Sequence, residues 1–378
     1  MKGKILLVLW TTSECNLRCK YCYASAVQEK QKMGFETACK ALDMVRNSPI
    51  KVQFAGGEPM LNFQLIERVY DYIRRKGYNA SLQMQTNGTL INSERARALK
   101  KMKIALGVSL DGTADVNERL RGGTKLAVEG IRELARRGMM VNINSVVTAQ
   151  NVEKLPGLLD FALYLGNVGG IGLDLLRIAG SAKEDQSGVS QPSAEQLRTA
   201  LKSMHQRSMD IYKQFGRRIV IREVEEAKKR LFAGQTPGSY CYASCGRSIV
   251  VLPDGNIYPC GSLIGRQDYY MGRVDDGKYT PVSLKGIKPG RCDECKYGNI
   301  CPGGCPSRMI VNYDEEPQLN SLDCVLKKTA FEIAEKCIYS MNGGNQCAEP
   351  GSDIDKQRTF FNHQGSNQDI GGRASGTV

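Results

Sequence analysis

Three cysteines stand within one short stretch, ECNLRCKYCYA at residues 14–24: Cys15, Cys19 and Cys22. Thiolates are soft metal ligands, and a structural zinc takes four donors in a closed tetrahedron. The CxxxCxxC spacing supplies three and offers no obvious fourth nearby. A cubane iron–sulfur cluster tolerates that shortfall: three irons take the thiolates, and the fourth stays open for a small molecule with an amine and a carboxylate.

Eight further cysteines lie between Cys241 and Cys324, in SYCYASC (239–245), GNIYPC (255–260), CDECKYGNICPGGC (292–305) and DC (323–324). They make two sets of four. Two structural zincs or two iron–sulfur clusters would both use them, and CxxC alone does not choose. Cys39, Cys337 and Cys347 have no partner at ligand spacing; the first two read as helix-face core residues and Cys347 as a free tail thiol.

Fourteen cysteines in 378 residues are too dilute for a small disulfide scaffold. The apolar run from Ile5 to Trp10 is far short of the roughly 20 residues that span a bilayer, and no small-residue cleavage site follows it. It reads as a buried strand in a protein of the cytoplasm, where clustered cysteines serve as metal ligands. The formal charge of +13 is scattered over helical stretches such as IRRKG and ELARRG, the pattern of a solvated face, so no nucleic-acid partner is expected. With only His205 and His363 present, a histidine triad or a His-rich zinc site is nearly excluded; His205 reads as structural or exposed.

The elements that must position these ligands are legible as alternation. Apolar, β-rich runs recur at 5–10, 51–55, 80–85, 104–110, 140–147 and 171–178, with helical periodicity between them. IERVYDYIRRKG places Ile66, Val69, Tyr70 and Ile73 on one face and ends at Gly77, a left-handed cap; Gly138 and Gly166 close later segments similarly. Six strand–helix units argue for α/β architecture with a parallel sheet, either doubly wound or a partial (β/α)6 TIM-like barrel. In barrels chemistry collects at the C-terminal ends of the strands. Here the first strand runs into the three-cysteine loop, the second into GGEP (56–59), the third into QTNG (85–88), the fourth into SLDG (109–112), and the fifth carries Asn144 and Ser145. SAEQ (193–196) reads as a capping box opening a long helix, and VVLPDGNIYPC as a hairpin turning at Asp254 and Gly255. The organisation read from this is a barrel with bridging helices over 1–235, a cysteine-rich domain over 236–340, and a Gly-, Asn- and Gln-rich disordered tail from 341 to 378.

TSECNLRCKYCYA followed by GGEP at the next strand end resembles the cluster loop and glycine turn of the radical S-adenosylmethionine (SAM) superfamily. The cysteine pattern after residue 240 resembles the SPASM extension found behind such barrels. The resemblance runs from about residue 6 to about residue 337 and implies a partial (β/α)6 barrel followed by a small cysteine-rich iron–sulfur (SPASM) domain. It implies that the open iron chelates the methionine end of SAM and that Gly56, Gly57 and Glu58 receive the amino group. Ser109 and Arg121 would meet the carboxylate or ribose, with Asn144 also on the cofactor, and the backbone at Tyr21 would lie by the adenine. It implies three 4Fe-4S clusters: one on Cys15, Cys19 and Cys22; one on Cys241, Cys245, Cys260 and Cys305; one on Cys292, Cys295, Cys301 and Cys324. The distance from Cys241 to Cys245 varies among relatives, and without Cys241 the first auxiliary cluster would keep an open iron. Each contact has a plainer reading beside it: GGEP as a tight turn, SLDG as a turn capped by Asp111 in place of a catalytic Asp111, and Arg119 in the part given to Arg121.

By the same resemblance, reductive cleavage of SAM yields a 5′-deoxyadenosyl radical that abstracts hydrogen from a peptide or protein. The auxiliary clusters take away the second electron, and a flavodoxin- or ferredoxin-type protein supplies the first. Thioether or carbon–carbon crosslinking of a ribosomal peptide is the expected reaction. Formylglycine formation on a sulfatase is the alternative, weakened because Gly261 stands where that branch places an aspartate. Only Met1 to Lys4 precede the first strand, so a separate leader-peptide-binding protein or the barrel mouth itself is expected to present the substrate. A zinc-binding scaffold without enzymatic activity is the reading from another class.

Overall fold

The structure is a computed structural model describing residues 3–26, 29–184, 187–233, 239–284, 292–313 and 321–342. Six strands alternate with helices: β1 (Ile5–Thr12), α1 (Phe35–Met44), β2 (Ile50–Gly56), α2 (Phe63–Lys76), β3 (Ala80–Thr86), α3 (Ser93–Lys101), β4 (Ala105–Ser109), α4 (Ala114–Leu120), α5 (Thr124–Arg136), β5 (Val141–Val147), α6 (Leu155–Leu165) and β6 (Val168–Leu175). Each pairs in parallel with the next in chain order. Helices α7 (Ala194–Phe215) and α8 (Arg222–Ala233) follow, with the short strand β7 (Val220–Ile221) between them laid parallel on β6.

Both faces of β1 are buried, as a parallel strand between helices and a filled interior requires. Ile5, Leu7 and Leu9 join the main core under α1 and α2, while Val8 and Trp10 meet Ala55, Val250 and Tyr258 on the other side. Helix α2 ends as read, with Gly77 at φ 66° and Arg74, Arg75 and Lys76 in its last turn, where positive charge complements the helix dipole. Its buried face differs in one member: Tyr72 is buried and donates to Asp43 at 2.8 Å, whereas Tyr70 is half-buried. Ser193 and Gln196 form the expected capping box on α7.

The sixth strand begins three residues earlier than its apolar run, because Gly169 and Gly170 lie inside it. Glycine serves a purpose on this inner face. A Cβ on Gly107 would stand 2.4 Å from Gln85 Oε1, and one on Gly172 would stand 2.5 Å from the Arg222 guanidinium. Their absence lets polar side chains cross the interior.

The chain beyond residue 239 extends the same sheet. Strand β8 (Ser248–Val251) pairs parallel with β1, and β9 (Asn256–Tyr258) returns antiparallel through a turn with Gly255 at φ 89°, the expected hairpin. Strand β10 (Gly272–Arg273) follows, giving the order β10-β9-β8-β1-β2-β3-β4-β5-β6-β7. Helix α9 (Pro306–Tyr313) and helix α10 (Leu322–Asn342) complete the described chain, with α10 packed against α7 and α8. The boundary expected near 236 lies outside the described residues, and of the tail expected from 341 only 341 and 342 are described, as the end of α10, with Cys347 and His363 outside them. No helix among the described residues is long and apolar enough to cross a membrane.

Candidate active site

The loop after β1 folds over the C-terminal rim of the sheet. Cys19 and Tyr21 pack with Val116, Leu120 and Leu176, and Lys20 N–H donates to Leu120 O at 3.0 Å. Cys15 Sγ accepts from Leu17 N–H at 3.4 Å and lies 4.0 Å from the Asn87 side-chain amide at the end of β3. The three thiols lie close enough to perturb one another. Burial pushes Cys15 up and Cys19 up to about 11, with the Arg121 guanidinium opposing and the other thiols adding to the rise. A thiol so placed stays protonated unless a metal takes the proton's place. Among the described residues no three Cys, His, Asp or Glu side chains converge on the position of a single ion.

GGEP makes the counter-surface, and its glycines are required by backbone. Gly56 sits at φ 139°, where a Cβ would lie 2.2 Å from Thr12 O; a Cβ on Gly57 would lie 2.1 Å from Glu14 O. Gly57 N–H and Glu58 N–H donate across to Thr12 O and Glu14 O, each at 2.8 Å. The turn and the cysteine loop are therefore in direct main-chain contact. Glu58, 1% exposed, accepts from Met60 N–H at 3.1 Å, the Thr86 hydroxyl at 2.6 Å and Asn87 N–H at 2.8 Å. Of the roughly four lone-pair sites on a carboxylate, one remains for an incoming donor.

Of the two arginines in NERLRGG, Arg119 lies exposed beside Asp115, while Arg121 turns inward. Its Nη1 donates to the Tyr21 hydroxyl at 2.6 Å, and that hydroxyl donates to Asp111 Oδ2. The Tyr21 side chain, not only its backbone, is thus part of the site. Asp111 is fully buried, and its second oxygen accepts from Val146 N–H at 2.8 Å. With each oxygen accepting one hydrogen bond, Asp111 orders the rim. Ser109 accepts from the Gln85 amide at 2.8 Å. Gln85 in turn accepts from Asn144, which also receives Arg222 Nη1 at 3.4 Å. Further in, Gln83 donates to Gln53 at 2.6 Å. These polar groups line the inner face below the rim.

The second cysteine region separates into two neighbourhoods. Burial pushes Cys241 up to about 12, with the charges of Cys305 and Cys260 the next contributions. Cys324 is raised by burial and then by Cys301, Cys295 and Cys292. Cys245 turns its sulfur to Arg247 Nε, which donates at 3.2 Å, and toward the carbonyl of Tyr242. Cys39 packs at the edge of the main core and Cys337 is within it, 3.3 Å from His205 Nε2 on α7.

A charged cluster joins this region to β6, and no sequence motif marked it. Asp174, at the end of β6, accepts from Arg177 Nη1 at 2.5 Å and from Arg308 Nη1 at 2.6 Å. Arg308 also holds Asp323 through Nε and Nη2 at 2.9 and 2.6 Å, and Asp323 accepts from Cys305 N–H at 2.9 Å. Burial opposes ionisation of Asp174, but the guanidiniums outweigh it and hold the carboxyl down to about 2. Only the position of Asp174 and Arg177 at a strand end could have drawn attention to them.

Residues 11–162 match the Radical SAM superfamily. An uncharacterised protein of Methanocaldococcus jannaschii is 33% identical over 298 residues, which cover 76% of this chain and 93% of that one. The cysteine-type anaerobic sulfatase-maturating enzyme of Clostridium novyi is 24% identical over 371 residues, covering 88% of this chain and 95% of its own. Among solved structures, native anSMEcpe with bound AdoMet and Cp18Cys peptide has the same fold, with a TM-score of 0.75 at 21% identity over 91% of this chain and 100% of that one.

Proposed function

The chain belongs to the radical SAM superfamily, and from that premise we propose that it is a maturase that oxidatively modifies a side chain of a peptide or protein. The observation that carries the reading is the main-chain contact between the three-thiol loop and the GG turn, in which Gly57 leaves no room for a side chain against Glu14 O. It sets three soft ligands beside a backbone surface that a small zwitterion can approach closely.

The residues fit the cofactor pair. Cys15, Cys19 and Cys22 would hold a 4Fe-4S cluster, and burial, which holds the Cys15 and Cys19 thiols above their ordinary range, favours their ionising only on a metal. Bound there with SAM, such a cluster would supply the one-electron chemistry of reductive sulfonium cleavage. The backbone of Gly56 and Gly57 and the remaining lone pair of Glu58 would receive the ammonium. Arg121, already turned inward, would grip the carboxylate, and Ser109 and Asn144 would meet the ribose side. Tyr21 and Asp111 hold Arg121 in place.

Two auxiliary clusters complete the proposal, one on Cys241, Cys245, Cys260 and Cys305 and one on Cys292, Cys295, Cys301 and Cys324. The proximity of Cys241 to Cys260 and Cys305, and of Cys324 to the other three, supports the two-set division; Cys245 would turn from Arg247 to join the first. A flavodoxin- or ferredoxin-type protein would supply electrons, and a leader-binding protein would present the substrate.

Peptide crosslinking is favoured over formylglycine formation by the surroundings of Gly261. A Cβ there would come within 2.9 Å of Trp10 Cζ3 and 3.6 Å of the Tyr23 hydroxyl, so an aspartate at this position has no space without moving a fully buried ring. The test is anaerobic: metal-replete protein given dithionite and SAM should release 5′-deoxyadenosine, with about a dozen irons bound. Colourless protein carrying stoichiometric zinc, or no 5′-deoxyadenosine under those conditions with candidate peptides present, would overturn it.

A further inference from the structure

We propose that Arg177 is a positioning residue that links the three-thiol loop to the first auxiliary thiol set and raises the reduction potential of the cluster held by Cys305. This rests on the two-set assignment above. The guanidinium reaches both sites. Its Cζ lies 5.7 Å from the ring centroid of Tyr23, the residue directly after Cys22, and its Nη2 donates to Cys305 Sγ at 3.7 Å. Cys305 also lies 3.4 Å from the Ser307 hydroxyl.

A second observation points to a group beyond the polypeptide. Arg177 Nε is buried and finds no acceptor among the described residues, although Nη1 is satisfied by Asp174. A buried donor without an acceptor costs about 1–3 kcal/mol, and the sulfurs of a cluster bound at Cys305 would be acceptors on this side. If Arg177 served only to hold Asp174, Arg308 would already do so from the other carboxylate oxygen.

Hydrogen bonds to sulfur and nearby positive charge favour the reduced, more negative form of a cluster and so raise its potential. Asp174 works against this by cancelling part of the charge on Arg177. Substitutions at the two positions must therefore move the potential in opposite directions, which general damage to the site would not do.

The experiment is a redox titration of the full-length, metal-replete protein, followed by electron paramagnetic resonance and visible absorption. Arg177→Met should leave the auxiliary cluster tenfold less reduced at a fixed potential, which is 59 mV for a one-electron couple. Asp174→Asn should make it more reduced, and the loop cluster should stay where it is. Unchanged auxiliary potentials in Arg177→Met at full iron content overturn the inference, as do equal shifts of every cluster. Should Arg177→Met lose iron, the sign of the Asp174→Asn shift decides alone. Wild-type protein with iron and sulfide for one cluster only would instead overturn the two-set assignment.

Discussion

Arg121 Nη1 lies 2.6 Å from the hydroxyl oxygen of Tyr21, and the same hydroxyl donates to the fully buried Asp111. One oxygen thus serves as acceptor for a guanidinium and donor to a carboxylate, with Arg121 and Asp111 3.9 Å apart. The arrangement fixes the guanidinium before any ligand arrives, which lowers the ordering cost of gripping a carboxylate.

Removing that hydroxyl should be felt twice. Tyr21→Phe leaves a buried carboxylate oxygen and a guanidinium N–H short of partners, a loss of about 1–3 kcal/mol, and SAM affinity should fall with it. Arg119→Ala, on an exposed side chain, should stay within about 0.5 kcal/mol. Anaerobic denaturant titration and equilibrium SAM binding read both quantities. Equal behaviour of the two variants would remove Arg121 from the proposed site.

At Gly57 the constraint is steric. An alanine Cβ would lie 2.1 Å from Glu14 O and 3.1 Å from Cys15 N, so Gly57→Ala must push the cysteine loop off the turn. The variant should bind about four fewer irons per chain, the content of one cluster. Gly34→Ala, whose Cβ would meet nothing within 4 Å, should retain full iron. Full iron in Gly57→Ala would show that loop and turn need not touch.

The strand ends that carry this site were readable because local pattern decides them. β1 and β2 are apolar runs buried on both faces, β4 and β5 alternate buried with half-buried positions, and the Asp254–Gly255 turn follows from one residue's access to positive φ. The sixth strand starts ahead of its apolar run because Gly169 and Gly170 carry no hydrophobic signal, while Gly172 further along makes room for Arg222. Tyr70 was preferred to Tyr72 because a helical stripe fixes its centre better than its edges. Nothing in the sequence could pair Tyr21 with Asp111, or Arg308 with Asp174 134 residues away. Such pairings are set by the closure of the fold, not by spacing. For the same reason the parallel seating of β8 on β1 gave no local signal.

Lys51 on β2 predicts a pH dependence. It is fully buried, its Nζ is 5.4 Å from the ring centroid of Tyr242, and burial, reinforced by Lys4, pulls its ammonium down to about 7. An unfolded lysine titrates near 10.4. Between those values the unfolded chain holds a proton that the folded chain has released, so stability rises with pH from about 7 to about 10. The slope from this one group is at most about 1.4 kcal/mol per pH unit. Lys51→Met should flatten it in anaerobic denaturation midpoints taken across that range. An unchanged slope would mean that Lys51 is charged in the folded protein at pH 8.

Arg308 and Asp323, 3% and 4% exposed, clasp the end of β6 to α10 and to the segment carrying Cys305. Asp323 takes two bonds from Arg308 and one from Cys305 N–H, while Arg308 reaches Asp174 and Leu175 O on the strand. Arg308→Met leaves a carboxylate buried without its cation and should cost about 3–5 kcal/mol. The exposed Arg207–Asp160 pair, broken by Arg207→Ala, should cost no more than about 1 kcal/mol. These costs alone do not establish a clasp, since any large buried side chain is missed when removed. The double variant Arg308→Met with Asp323→Leu separates the two explanations, because it removes the charge that was left unpaired. If the pair mainly satisfies itself, the double variant should regain most of the loss and keep iron at the Cys305 set. If it positions Cys305 through the N–H bond, the double variant should regain stability yet still lose that iron, and the geometry at Cys305 favours this second outcome.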